Sequence, residues 1–314
     1  MVIREFADHI KKEMKKAVVG QDNVIELITL AFLSGGHVIL EGVPGLAKTL
    51  IARTFAAITG LKFSRIQFTP DLMPSDILGT MVYDVQGARF VFHEGPVFTN
   101  VLLADEINRA SPKTQSALLE VMEESQVTIE GKRYVMEPPY MVLATQNPVE
   151  FEGTYPLPEA QLDRFLMKIA VEYPEKEIET DVLKKFRDGF DSKELDKIKF
   201  ESIDKKKLAE CRKEFSKVRV DDSLMDYIMN IVRSTRENPS ILLGASTRAG
   251  LALMNISRYK AGMDNRDYVI PDDVKAAAQP VLRHRIILQA DAEIEGYKTD
   301  DVVRNIIENV KVPR

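Results

Sequence analysis

His37-Val38-Ile39-Leu40 leads through Glu41 into Gly42-Val43-Pro44-Gly45-Leu46-Ala47-Lys48-Thr49, after which Leu50 to Ile58 follows a helical pattern ended by Gly60. A short apolar run rich in β-branched residues marks a strand buried on both faces of a parallel sheet. Strand, glycine-bearing loop and helix in that order make a phosphate-binding loop. Backbone N–H groups of the loop and the helix N-terminus face phosphate oxygens, a lysine reaches the β- and γ-phosphates, and a hydroxyl ligates Mg²⁺. Lys48 and Thr49 take the last two roles, with Gly42, Val43, Pro44, Gly45, Leu46, Ala47 and Leu50 forming the cradle. Ala47 stands where the GxxxxGK[ST] pattern has its second glycine. That residue lies at the helix start, where a negative φ is expected and a methyl group fits if nothing crowds it. This segment alone also allows a plain glycine turn before a helix with a surface lysine.

Outward from the loop, apolar runs recur at Phe63 to Phe68, Val101 to Ala104, Met141 to Ala144 and Phe165 to Val171, with helical patterns between them. Strands alternating with helices predict an α/β domain with a mostly parallel sheet. Turns at Gln86-Gly87 and Glu130-Gly131 separate short alternating stretches, which predicts two inserted β-hairpins. Beyond Tyr173-Pro174 helical periodicity replaces buried-strand runs. The expected division is an α/β core over 1–173 and a helical domain over 174–314.

The chain has 314 residues, 45% apolar and 29% charged, an ordinary globular composition for about two domains. Lys and Arg total 43 against 48 Asp and Glu, a net charge of −5 that disfavours a sequence-independent nucleic-acid coat. One cysteine, Cys211, excludes an intrachain disulfide and a cysteine-based zinc site, and the scattered His9, His37, His93 and His284 show no zinc spacing. No apolar run has the length of a membrane span, and the N-terminus lacks a signal-peptide core. Ile3, Phe6, Ile10 and Met14 instead read as one face of an amphipathic surface helix. A cytoplasmic protein is expected.

Asp105-Glu106 closes the run Val101 to Ala104. Asp105 suits the Mg²⁺ shell beside Thr49, and Glu106 suits orienting or deprotonating a water that attacks the γ-phosphate. A solvated acidic pair opening a loop is the bland alternative. Asn147, just past another strand end, could hold that water or a γ-phosphate oxygen, or simply initiate an Asn-Pro turn.

GVPGLAKT, LLADEINRASPKTQSALLEVMEE, ATQNP, PEAQLDRF and GASTRAGLAL, in that order across roughly residues 15 to 290, resemble the MoxR family of AAA+ ATPases. The resemblance implies an AAA+ P-loop domain with a parallel five-stranded sheet, inserted hairpins and a smaller all-helical lid. It makes Lys48 and Thr49 the Walker A pair, Asp105 and Glu106 the Walker B pair, and Asn147 sensor 1. Arg164 becomes an arginine finger donated to a neighbouring subunit, although by itself it could pair with Asp163 or Glu159. Arg248 becomes sensor 2, reaching the γ-phosphate from the lid, and Val18, Val19 and Gly20 flank adenine. Arg109 is a further candidate for a contact between subunits.

The implied activity is ATP hydrolysis with Mg²⁺ in a homo-hexamer that remodels or activates a protein client. The implied client is typically a protein with a von Willebrand factor A domain receiving a metal or cofactor. A nucleic-acid motor standing on Arg89, Lys132 and Arg133, or a chelatase-type motor subunit, are the alternatives. Cys211, His284 and the Lys205-Lys206-Lys207 run read as structural or solvated residues.

Overall fold

The computed structural model of the chain describes residues 2–148 and 153–313. The chain opens with α1 (Val2–Met14) and α2 (Asp22–Leu33), then β1 (Val38–Glu41), α3 (Lys48–Thr59) and β2 (Phe63–Gln67). A short α4 (Pro74–Leu78) leads to β3 (Gly79–Asp84) and β4 (Arg89–Glu94), followed by β5 (Val101–Asp105) and α5 (Pro112–Glu124). Next come β6 (Gln126–Ile129), β7 (Lys132–Val135), β8 (Met141–Gln146), α6 (Glu159–Leu162) and β9 (Met167–Ala170).

β1, β2, β5, β8 and β9 form one parallel sheet in the order β2-β5-β8-β1-β9. Helices cover both faces, so the central strands bury consecutive residues instead of alternating ones. Alternate side chains still part to opposite faces. Val38 and Leu40 join α1, α2 and α3 in one core, while Ile39 joins Leu102, Val142 and α5 in the other. The chain leaves β1 and re-enters the sheet at its far edge with β2. That change of direction opens a crevice beyond the carboxyl ends of the strands, beside β1. β3 pairs with β4 and β6 with β7 as antiparallel hairpins, turning where Gln86-Gly87 and Glu130-Gly131 predicted.

The sheet's last strand ends at Ala170, and α7 (Lys176–Arg187) begins the second half. It continues with α8 (Lys205–Phe215), α9 (Asp222–Glu237), β10 (Ile241–Leu243), α10 (Thr247–Met263) and α11 (Pro271–Leu282). β11 (Ile287–Leu288), α12 (Ala290–Ile294) and α13 (Thr299–Asn309) complete it. This half is helical apart from the antiparallel pair β10–β11, too short to register as buried-strand runs.

The N-terminal helix is a brace rather than a surface helix. Ile3, Phe6, Ile10 and Met14 are all buried, each worth roughly 2 kcal/mol of gross hydrophobic stabilisation. α1 packs against α2 and α3 of the core and against α8 and α10 of the second half. Gly262 permits this approach, because a Cβ there would lie 2.8 Å from Ile3. Among the described residues no helix is long and apolar enough to cross a membrane.

Candidate nucleotide site

The loop after β1 turns tightly around two glycines used in different ways. Gly42 sits against the strand next door, where a Cβ would lie 2.5 Å from the Val171 carbonyl oxygen. Gly45 has open space around it but φ of +89°, a backbone state that favours glycine. Ala47 does not have the expected negative φ. Its φ is +57°, in the left-handed region, because it still belongs to the loop and the helix begins only at Lys48. The glycine of the sequence pattern is therefore a conformational requirement that alanine meets at a strain of about 1 kcal/mol. Leu46 is buried and Val43 packs on the core, so these two anchor the loop from behind.

Pro44, Gly45, Ala47, Lys48, Thr49 and Leu50 line a cleft of about 340 Å³ whose opposite wall is Asp105, Glu106, Thr145 and Asn147. Lys48 Nζ donates to the Gly42 carbonyl at 2.6 Å. Burial lowers its pKa, and the facing carboxylates Asp105, Glu106 and Glu41 oppose that shift. The cleft thus sets one half-buried cation against two carboxylates.

β5 delivers both carboxylates. Asp105 Oδ1 accepts from Thr145 Oγ1 at 2.6 Å, and Oδ2 accepts from Arg65 Nη2 at 2.7 Å. Glu106 then takes a left-handed φ of +57°, and its N–H donates to the same Thr145 hydroxyl at 2.8 Å. Its Oε2 accepts from Gln67 Nε2 at 2.8 Å and Arg109 Nη1 at 3.0 Å. Arg109 therefore braces the acidic pair of its own chain. Asn147 is buried in the cleft wall.

Thr145, Arg65, Gln67 and Ser192 were not anticipated. The readable signal for two of them was polar: Arg65 and Gln67 interrupt the apolar run Phe63 to Phe68 at alternate positions. Ser192 lines the cleft from the second half of the chain.

Thr49 and Asp105 present a hydroxyl and a carboxylate to one space, hard oxygen donors of the kind Mg²⁺ takes together with phosphate oxygens and water. The residues fit that ion. Among the described residues there is no cluster of three or more His, Cys, Asp or Glu side chains that would form an all-protein metal cage.

Of the three residues expected beside adenine, Val18 is a core residue and Val19 is half-buried. Gly20 lines a cavity of about 690 Å³, with Gln21, Tyr173, Pro174, Ile178 and Arg283 among its walls. Ala170 and Glu172 also line it and flank Val171, the residue that abuts Gly42, so this cavity adjoins the loop.

Residues 37–167 match the model of the "ATPase family associated with various cellular activities (AAA)", and 233–306 match that of the AAA lid domain. Chaperone MoxR1 of Mycobacterium tuberculosis is 44% identical over 96% of this chain and 81% of its own. The chain belongs to the MoxR family of AAA+ ATPases. Protein MoxR of Methylorubrum extorquens is 29% identical over 99% of this chain and 96% of its own. A crystal structure from Cytophaga hutchinsonii, 45% identical, matches with a TM-score of 0.90 over 99% of this chain and 96% of that one.

The two arginines singled out by the MoxR resemblance lie together, and neither lines the cleft of this chain. Arg164 Nη2 is 2.9 Å from Glu123 Oε2, so its partner is neither Asp163 nor Glu159. Arg248 does not reach its own cleft from the lid. Its Nη2 is 3.6 Å from Glu123 Oε1, beside Arg164.

The cause is the way the lid docks. Arg285, almost fully buried, donates through Nε to Asp163 Oδ1 at 2.7 Å, through Nη2 to the Phe165 carbonyl at 2.6 Å and through Nη1 to the Leu166 carbonyl at 3.0 Å. His284 Nε2 bonds the Phe165 carbonyl at 3.0 Å, and Ser246 Oγ donates to Asp163 at 3.2 Å. This latch carries the N-terminus of α10, and Arg248 with it, to the segment that bears Arg164. His284 is thus the packed lid residue expected, and Cys211 is a buried thiol pushed up to about 12 by desolvation and by Glu214 and Glu210.

Proposed function

We propose that this MoxR-family chain hydrolyses ATP to ADP and phosphate as a cytoplasmic hexameric ring and uses the energy to remodel a client protein. One observation carries the reading. The phosphate loop, Asp105, Glu106 and Asn147 share one cleft, while Arg164 and Arg248 are gathered on another surface. Each chain then holds most of one site and the missing cations of a second.

In this reading Lys48 and the loop N–H groups grip the β- and γ-phosphates. Thr49 and Asp105 would hold Mg²⁺, which would supply charge neutralisation at the β- and γ-phosphates. Glu106 orients and deprotonates the attacking water, and Asn147 holds that water or a γ-phosphate oxygen. Arg164 and Arg248 approach from the adjacent copy, where their permanent charge and planar forks match phosphate oxygens as negative charge shifts toward the leaving group. Gly20 and its cavity take the base.

The relative named Chaperone MoxR1 supports a protein client, and a protein with a von Willebrand factor A domain is the class the resemblance implies. On the β3–β4 hairpin Tyr83 and Phe90 meet edge-on at 5.2 Å, exposed to solvent, with Val85 80% exposed nearby. That surface suits the grip of an extended polypeptide.

Purified Lys48→Ala should lose ATP turnover, and Glu106→Gln should bind ATP without hydrolysing it. Turnover that survives either substitution refutes the site. Arg164→Ala should still bind nucleotide while kcat falls about a thousandfold, with partial rescue by wild-type subunits. Stimulation of turnover by unfolded polypeptide supports the client reading. Stimulation by single-stranded DNA that is lost on adding salt favours the motor alternative instead.

A further inference from the structure

Arg164 and Arg248 come from different halves of the chain, 84 positions apart in sequence, yet both meet one carboxylate. Glu123 offers Oε2 to Arg164 at 2.9 Å and Oε1 to Arg248 at 3.6 Å, one oxygen for each guanidinium. Asp163 is the other acid near Arg248, but its Oδ2 is farther away, at 3.9 Å, and already accepts from Ser246 Oγ at 3.2 Å, while Arg285 holds Oδ1 at 2.7 Å. The Glu123, Arg164 and Arg248 side chains are 41%, 32% and 52% exposed. Ion pairs so open to water add only about 0–1 kcal/mol to a fold. Stability does not account for the arrangement.

Geometry does. Two guanidiniums on long side chains repel each other and swing apart when nothing lies between them. A carboxylate between them fixes their spacing and direction. We propose that Glu123 is the positioning residue of a two-arginine clamp, holding Arg164 and Arg248 side by side for the polyphosphate of a second copy of this chain. This role presupposes the reading above, in which both arginines act across a subunit boundary.

The place of Glu123 in the fold strengthens the assignment. It lies in the last turn of α5, and that helix starts three residues after Arg109, the partner of Glu106. Ser111 caps the helix and Pro112 opens it, so its start is fixed relative to the acidic pair. The 13 residues of α5 span roughly 20 Å as one rigid rod. One end braces the chain's own cleft and the other holds the cations meant for its neighbour's.

The test is ATP turnover by Glu123→Ala, Glu123→Gln, Glu123→Asp and Arg164→Ala, each alone and mixed in equal amounts with Lys48→Ala. For Glu123→Ala and Glu123→Gln, kcat should fall about ten- to a hundredfold, the usual result of misplacing catalytic cations by an ångström. KM for ATP should stay within about twofold, because the variant's own cleft is intact. Glu123→Asp keeps the charge and should regain part of kcat.

A Lys48→Ala subunit has a dead cleft and an intact clamp. With random mixing, about one interface in four joins an intact clamp to an intact cleft, so the mixture should recover about a quarter of wild-type turnover. A wild-type kcat in Glu123→Ala or Glu123→Gln overturns the proposal. So does a loss that Lys48→Ala subunits cannot restore, since the defect then lies within the variant's own cleft. Arg164→Ala separates the two ideas. If it also escapes rescue, the trans-acting reading fails; if it is rescued and Glu123→Ala is not, only the role of Glu123 fails.

Discussion

Gly42→Ala and Gly45→Ala put the same methyl group into the same loop for opposite physical reasons. At Gly42 the obstacle is an atom: the new Cβ would lie 2.5 Å from the Val171 carbonyl oxygen and 3.1 Å from Val171 Cβ. Ordinary contact begins near 3.4 Å, so the end of β1 and the end of β9 must part by about 1 Å. The strands are hydrogen-bonded at that point, with Val171 N–H donating to the Glu41 carbonyl at 2.7 Å, so the shift passes into the loop. Gly42→Ala should lower stability by about 1–3 kcal/mol. By displacing the Lys48 anchor on the Gly42 carbonyl it should reduce ATP turnover about a hundredfold. At Gly45 no atom lies within 4 Å of the new Cβ, and only the left-handed backbone resists it. Gly45→Ala should therefore cost about 1–2 kcal/mol without moving the strands. Urea midpoints, binding of a fluorescent nucleotide and steady-state turnover measure the three quantities. Wild-type turnover in Gly42→Ala would show that the loop tolerates displacement and that its contact with β9 does not set its position.

The other predictions concern strain, protonation and burial. Ala47→Gly should leave the denaturant midpoint unchanged or raised, since the relief of left-handed strain offsets the added unfolded-state entropy of about 0.4–1 kcal/mol; Ala47→Val should lower it sharply. His37 is buried, with Nδ1 accepting from Val142 N–H and Nε2 donating to the Met122 carbonyl, and burial lowers its pKa from 6.5 to about 4. Between those values the unfolded chain holds the extra proton, so stability falls as pH drops below 6.5, by about 3 kcal/mol over the full window. Urea titrations should show a steeper slope in the wild type than in His37→Gln, which keeps the same-signed contribution of the buried His284, and parallel curves would refute it. Cys211, with its thiol raised to about 12, should react with an aromatic disulfide reagent at the rate of unfolding, and rapid labelling of the native protein at pH 8 would contradict its burial.

What the sequence disclosed, and what it withheld, divides by the range of the forces involved. The central strands β1, β5 and β8 were readable because burial on both faces demands unbroken apolar runs. The hairpins were readable because Gln86-Gly87 and Glu130-Gly131 supply turn chemistry within a few residues. Ala47 was misjudged by one residue, where loop passes into helix and φ changes sign, although the glycine of the motif already encoded the left-handed state. Ile3, Phe6, Ile10 and Met14 announced a stripe that must be buried, but nothing local named Gly262 as part of its seat.

The position of Arg248 depended on a still longer range. Arg285 finds Asp163 across 122 residues, and that ion pair fixes how the lid meets the core. Once this latch sets the docking, Arg248 joins Arg164 at Glu123 instead of closing over Lys48. Motifs read along the chain could name both arginines but could not say which cleft they serve. If they serve a neighbour's, as we propose, a lone chain lacks the cations that stabilise the transition state, and hydrolysis waits on assembly. Arg285 then governs that dependence without touching nucleotide, because loosening its hold on Asp163 would let the lid, and Arg248 with it, leave the shared surface.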